Sequence, residues 1–332
     1  MKNGGIKYFS MFTGVGGFEL GLEKAEENNK EYSKRNISDT SNRGAKEVQC
    51  KRQYNCIGFS EIDKYASELL KNKWSNIKNY GDATKINPRE LPDFDMLCGG
   101  FPCQAFSIAG KREGFKDTRG TMFFEIARIV KVKRPKTLLL ENVKGLLNHE
   151  GGKTFRTILQ TLSELGYNVQ WMVLNSKFFG VPQNRERVFI IASLRGESRP
   201  EILPFGQGNK INNGKQEEQT TRCLTSQYYK QGQWEQYIKE TIPKYTQYGK
   251  HQQDRIYEKD RPIGTLSSSQ AGDYKFKIEN MKIRRLTPTE CERLQGFPDG
   301  WTEGFSDTQR YKMMGNAVTV NVVRAIAQRL KL

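Results

Sequence analysis

The sequence predicts an α/β protein built on a mostly parallel sheet, with a smaller unit inserted late in the chain. Three observations carry this prediction. Strand-like apolar segments alternate with stretches of helical periodicity over residues 6–194. Clear periodicity is lost over residues 200–280. It returns near the C-terminus, where Val320, Val323, Ile326 and Leu330 form an apolar stripe.

The elements follow in order. Residues 6–12 form the first strand, followed at once by a glycine turn and an amphipathic helix over 18–25. Residues 55–60 form a second strand and 63–73 a helix. A third strand covers 94–98, and the helix over 122–132 places Phe123, Ile126, Ala127 and Val130 on one face. Residues 137–141 form an apolar strand ending in a carboxylate. Residues 154–165 carry Phe155, Ile158, Leu159, Leu162 and Leu165 at helical spacing, and Gly166 ends that helix. Further strands cover 168–174 and 187–192. The helical pattern resumes from Arg284, with Thr289 as the expected cap of a helix running to Leu294. The C-terminal stripe should pack back on the first half. One domain is therefore expected from 1–194 plus 284–332, and a second from 195–283. The Lys-, Arg-, Asn- and Ser-rich stretch 28–53 reads as a surface loop.

Composition narrows the function. The chain has 332 residues and a formal charge of +17, which favours a polyanionic partner. Its two histidines, His149 and His251, are too far apart for a paired-histidine zinc site. No apolar run approaches the ~20 residues of a membrane span, and no apolar stretch follows Lys2 as in a signal peptide. The six cysteines form no C-x-x-C pair and read as free thiols of a cytoplasmic protein.

Five motifs carry chemistry. Phe12-Thr13-Gly14-Val15-Gly16-Gly17-Phe18 lies between a strand and a helix, where glycines let a ligand approach the helix start. A dinucleotide fingerprint needs a further glycine where Glu19 stands, so a nucleoside without pyrophosphate fits better. Glu61 and Asp82 sit where strand-end carboxylates take ribose hydroxyls or an amino group; helix capping by Asp63 and a turn at Gly81-Asp82 account for the same stretches. In Gly99-Gly100-Phe101-Pro102-Cys103-Gln104 a cysteine follows a strand, with Lys111, Arg112 and Arg119 nearby to favour its thiolate. The stretch 111–120 lacks apolar periodicity and reads as a flap. Glu141-Asn142-Val143 ends an apolar strand, so partial burial should raise the carboxyl's pKa and suit it to donate a proton. In Gln183-Asn184-Arg185-Glu186-Arg187 two arginines at i, i+2 project to one face, as an anion clamp or a solvated edge. Two look-alikes fail. Gly152-Lys153-Thr154 lacks the P-loop's first glycine, because Leu147 stands there. Pro102-Cys103 lacks the second cysteine and the H-x-E of a zinc deaminase.

In order and content these motifs resemble the cytosine-C5 DNA methyltransferase family of prokaryotic and phage restriction-modification systems. Arg284-Arg285-Leu286-Thr287-Pro288, Glu290-Cys291, Gln295-Gly296-Phe297-Pro298 and Gly315-Asn316-Ala317-Val318 complete the resemblance. It covers about 6–194 and 284–330. Departures are Ser10, where many members have Asp, Ile62, where members often have an aromatic, and a long insertion at 28–53.

The resemblance implies a Rossmann-like S-adenosylmethionine-dependent methyltransferase fold, with 195–283 as the target-recognition domain. It implies that Cys103 adds to C6 of a flipped cytosine, that Glu141 protonates N3, and that Asn142, Arg185 and Arg187 complete the catalytic site. S-adenosylmethionine would lie against Phe12, Gly14, Gly16, Gly17, Glu61, Ile62, Asp82, Pro102, Asn316 and Val318, leaving as S-adenosylhomocysteine; no metal is implied. Ser107, Lys111 and Arg119 are expected on DNA, with Gln252 or Gln253 filling the gap of the flipped base, Arg255 reading a guanine and Thr265 on the backbone. Ten glutamines interleaved with Tyr and Trp over 207–253 suit base-edge contacts. The expected partner is duplex DNA, with a cognate restriction endonuclease sharing the site and the enzyme acting as a monomer. Alternatives left open are a tRNA-directed methyltransferase, a non-catalytic nucleic-acid-binding module and, disfavoured by Glu19, a nicotinamide oxidoreductase.

Overall fold

The computed structural model describes residues 5–26, 54–102, 122–197, 202–203, 221–222, 275–279 and 282–330. Its centre is a six-stranded sheet in the order β2-β1-β3-β4-β7-β5. These strands are β1 (Ile6–Met11), β2 (Tyr54–Ser60), β3 (Met96–Gly100), β4 (Thr137–Val143), β5 (Tyr167–Asn175) and β7 (Glu186–Leu194). The pairs among β2, β1, β3 and β4 are parallel. β7 runs antiparallel to both β4 and β5 and is the only reversed strand of the six. The short β6 (Gln183–Asn184) pairs in parallel with β8 (Thr221–Arg222).

Side-chain alternation explains why these strands read as apolar runs. On one face Phe9, Met11, Leu97, Leu138, Leu140, Val188 and Ile190 share a core with Phe123, Ile126, Ile158 and Leu162. The latter come from α3 (Met122–Lys133) and α4 (Lys153–Glu164). On the other face Tyr8, Met96, Cys98, Leu139, Phe189 and Ile191 pack with Phe18 and Leu22 of α1, residues 17–26, and with Val322, Val323 and Ile326. A sheet covered on both sides needs apolar residues at every position, the mark of a buried parallel sheet.

The C-terminal elements close onto α1, as the apolar stripe predicts. In α7 (Val320–Ala327), Val323 lies so close to Gly21 that a Cβ there would meet it at 2.6 Å. Tyr54 Oη donates to Ala327 O at 2.9 Å, tying β2 to the same helix. After β2, α2 (Lys64–Lys73) carries Asp63 as its N-cap. No helix among the described residues is long and apolar enough to cross a membrane.

Two expectations near residue 284 need correction. Helical periodicity does not resume at Arg284, because β10 (Lys282–Arg285) pairs antiparallel with β9 (Lys275–Glu279). Thr289 is not the cap of α5 (Pro288–Leu294). Thr287 is the cap, in a capping box with Glu290 and with Pro288 at the first turn. α6 (Asp307–Asn316) was not predicted.

Glu19 of α1 is fully buried, and neither carboxyl oxygen reaches a hydrogen-bond partner among the described residues. Burial pushes its pKa from 4.5 to about 7 against an opposing pull from the nearby Ser10 hydroxyl, and the Glu23 and Glu61 carboxylates add to the rise. Between those values the folded chain holds a proton that the unfolded chain has released. Stability is therefore fully present below pH 4.5 and is lost as pH rises toward 7, by about 3 kcal/mol. Glu19→Gln is expected to remove this slope. Urea midpoints at pH 5.5 and pH 8 check it, and equal pH dependence in both chains contradicts it.

Candidate active site

The carboxyl ends of the parallel strands open into one cleft of about 520 Å³, within the ~300–1,000 Å³ of small-ligand sites. Phe12 follows β1, Glu61 follows β2, Phe101 and Pro102 follow β3, and Glu141 and Asn142 end β4; all line the cleft. The reversed β7 brings its amino end to the same edge, which places Arg187 opposite Val143 in the ladder. A parallel strand there would have carried Arg187 to the far edge of the sheet.

At one end of the cleft, Arg187 Nε lies 3.0 Å from Glu141 Oε1, and both side chains are 12% exposed. Burial raises the Glu141 pKa against the opposing pull of Arg187 and Arg185. A Cβ on Gly100 would stand 3.0 Å from Glu141 Oε2, so a side chain there would press on the carboxylate. Asn142 Nδ2 donates to Phe101 O at 2.8 Å, and Asn142 Oδ1 accepts from Val143 N–H at 2.8 Å. Asn142 thereby ties the end of β4 to the chain leading into Pro102.

At the other end, Glu61 is held by backbone amides. Oε2 accepts from Gly14 N–H at 2.7 Å, and Oε1 accepts from the N–H groups of Ile62 and Asp63 at 2.9 and 2.8 Å. Gly14 has a φ of +59° with nothing within 4 Å of a Cβ position, leaving the turn open to a ligand. Phe12, at φ +54°, holds a conformation that non-glycine residues rarely adopt, a strain of about 1–3 kcal/mol that concentrates at functional sites. Ser10 is buried beneath the turn and accepts from Thr13 Oγ1 at 3.1 Å. Lys312 and Asp63 pair at 2.6 Å on the cleft wall.

The structure brings together Phe12, Gly14, Glu61, Pro102, Glu141, Asn142, Arg185, Arg187 and Asn316. Arg185 is buried, and its Nη2 donates to Gly315 O and Ala317 O at 3.2 and 2.7 Å. It thus braces the wall of the cleft from behind. The other predicted cofactor residues are not among those lining the cleft. Cβ atoms on Gly16 and Gly17 would meet Trp74 at 2.4 Å and Val318 at 2.6 Å, so helix packing is what excludes side chains there. Ile62 is exposed, and Asp82 accepts from Thr84 N–H and Oγ1 as the cap of a short 3-10 turn. Sequence reasoning missed Val15, Asp63, Lys312 and Met313 as lining residues. Lys312 is 249 residues from its partner, and no local signal marks that pair. Cys103, Ser107, Lys111, Arg119, Gln252, Gln253, Arg255 and Thr265 lie outside the described residues.

The model of C-5 cytosine-specific DNA methylases matches residues 6–332. The chain is 37% identical to the Type II methyltransferase M1.ScrFI of Lactococcus lactis subsp. cremoris, over 99% of this chain and 79% of that one. It is 35% identical to the Type II methyltransferase M.HhaI of Haemophilus parahaemolyticus, over 97% and 93%. Among solved structures, S. pombe Dnmt2 methyltransferase superposes with a TM-score of 0.61 at 15% identity, covering 97% of each chain. A putative DNA modification methyltransferase encoded within a prophage of E. coli gives 0.58 at 16% identity, covering 98% of each. At these identities the superpositions speak for the fold.

Proposed function

Because the chain belongs to the C-5 cytosine-specific DNA methylase family and is a DNA (cytosine-5) methyltransferase, we propose that S-adenosylmethionine and a flipped cytosine meet in the cleft between Glu61 and Glu141. The observation that carries this reading is the cleft itself. One end offers a carboxylate beside an open glycine turn, and the other a buried carboxyl-guanidinium pair next to Pro102.

The residues present fit the cofactor. Phe12 and Val15 offer apolar walls to an adenine, and Glu61 has acceptor capacity left for ribose hydroxyls. A carboxylate bonded to Gly14 disfavours a pyrophosphate at that turn and favours a cationic nucleoside. When bound, S-adenosylmethionine supplies the methyl group that C5 receives, and S-adenosylhomocysteine is the product.

The chain's residues prepare the base. Cytosine C5 is a weak nucleophile until a thiolate adds to C6. In this reading Cys103 Sγ forms that bond, and the C5–C6 π electrons shift toward N3, where Glu141 delivers its proton. C5 is thereby made electron-rich. Arg187 holds Glu141 in place and faces the base oxygen, while Asn142 fixes the chain ahead of Cys103. After methylation, H5 leaves to a water base, the thiolate is eliminated from C6, and the N3 proton returns to the Glu141 carboxylate, which restores the ring and frees Cys103. Extruding the base costs a few kcal/mol, and the segment holding Ser107, Lys111 and Arg119 is assigned to the DNA backbone.

Residues 195–283 are read as the DNA-reading domain, with Gln252, Gln253, Arg255 and Thr265 on the duplex. The remainder, 1–194 with 284–332, is read as the catalytic domain. The enzyme is read as a cytoplasmic monomer that protects sites cut by a cognate endonuclease, a role supported by the Type II names of its relatives.

Glu61→Gln places an amide donor where backbone N–H groups now donate. It is expected to weaken S-adenosylmethionine about ten- to hundredfold while changing kcat at saturation by only a few fold. Calorimetric titration with the cofactor, beside transfer of a labelled methyl group to duplex DNA, tests the proposal. Wild-type cofactor affinity in the variant contradicts the assignment of Glu61.

A further inference from the structure

The 315–318 segment, the end of α6 and its link to α7, is held by side chains from elsewhere in the chain. Gly315 and Asn316 line the cleft at its start. Gln295, the C-cap of α5, is fully buried behind it. Gln295 Nε2 donates to Met314 O at 2.9 Å, and Gln295 Oε1 accepts from Thr319 Oγ1 at 2.8 Å. Its backbone carbonyl accepts from Val320 N–H at 3.0 Å. One residue therefore grips both ends of the 315–318 segment, while Arg185 holds its middle at Gly315 O and Ala317 O.

Thr319 shows what this grip displaces. It is the N-cap residue of α7, yet its hydroxyl makes no cap bond to the helix. The hydroxyl serves Gln295 and lies 2.9 Å from Ser176 Oγ. A threonine at an N-cap ordinarily serves the helix's own amides. A primary amide can donate to a carbonyl and accept from a hydroxyl at once, whereas an ionised Glu lacks the donor and Met has no donor and only a weak acceptor.

We propose that Gln295 is a positioning residue for the cofactor. By fixing Met314 and Thr319 together, it sets how far Gly315 and Asn316 project into the cleft. It controls affinity for S-adenosylmethionine and leaves DNA binding alone. This rests on the reading that Gly315 and Asn316 form the cofactor's wall.

The test uses the full chain with Gln295→Met, which keeps the volume and removes both bonds, and with Thr319→Val, which removes one. Calorimetry gives the Kd for S-adenosylmethionine, and steady-state kinetics give KM for cofactor and for DNA separately. Gln295→Met is expected to raise Kd and KM for the cofactor about tenfold, with KM for DNA within about twofold. Thr319→Val should shift the same two constants, and the double variant should fall short of the sum because the two share a bond. A merely structural residue would lower thermal stability without splitting the two KM values. A folded variant with unchanged cofactor affinity, or with both KM values rising together, overturns the proposal. If Gln295→Met does not fold, Thr319→Val decides by the same criteria. A wild-type chain that binds no S-adenosylmethionine overturns the underlying reading and this proposal with it. A wild type that binds, beside variants that bind equally well, overturns this proposal alone.

Discussion

Replacing Cys103 with alanine is expected to lower methyl transfer at saturating substrates by at least about 10⁴-fold, because a reaction that depends on its nucleophile has no slower route of similar chemistry. The thiol's task is to convert an aromatic ring into an enamine-like nucleophile. No described side chain in the cleft is a comparable nucleophile: its polar groups are carboxylates, amides, guanidiniums and one lysine. Affinity for S-adenosylmethionine should stay within about threefold, since the substitution leaves Glu61 and the glycine turn intact. Single-turnover transfer of a labelled methyl group, with calorimetry on the same preparation, separates the two quantities. Residual transfer within about tenfold of wild type would remove Cys103 from the mechanism.

Glu141→Gln should cost about 10²–10⁴-fold in kcat, the usual range for loss of a general acid. The amide keeps the shape and can still donate a hydrogen bond to N3, yet it has no proton to give up. In the wild type, burial raises the carboxyl's pKa while Arg187 and Arg185 hold it down. The protonated fraction falls as pH rises through that raised value, so kcat is expected to decline on the alkaline side. Removing Arg187 as leucine takes away a cation 3.0 Å from the carboxyl and should move that alkaline limb to higher pH, even as overall activity falls. A pH–rate profile checks both signs. A limb that stays in place in the Arg187 variant, or survives in Glu141→Gln, would show that another group controls it.

Much of this is legible in the sequence, for a physical reason. Strands buried on both faces must be apolar throughout, so β4 and β7 stand out as runs that end or begin in charge. Glu141 and Arg187 were therefore visible as site candidates. The reversal of β7, which makes them neighbours, was not visible, because strand order depends on distant contacts. α6 escaped notice because only Met313, Met314 and Gly315 are buried within it, too few to form a stripe. The misplaced cap at Thr289 was avoidable: Thr287-Pro288 with Glu290 is a local capping-box signal. Gly16 and Gly17 carry a second requirement that the sequence does not show. The atoms that exclude side chains at these two glycines belong to Trp74 and Val318, far along the chain, and no local pattern marks those contacts. In the sequence Gln295 is only part of a motif, since its partners Met314 and Thr319 lie 19 and 24 residues away.

The central claim is that this cleft methylates cytosine at C5 in duplex DNA through Cys103. Bisulfite sequencing of DNA from a methylation-free host expressing the chain, beside one expressing Cys103→Ala, tests it most directly. The account predicts that cytosines within one short sequence resist conversion in the first host and convert fully in the second. Full conversion in both hosts, with a folded protein that binds S-adenosylmethionine, would contradict it.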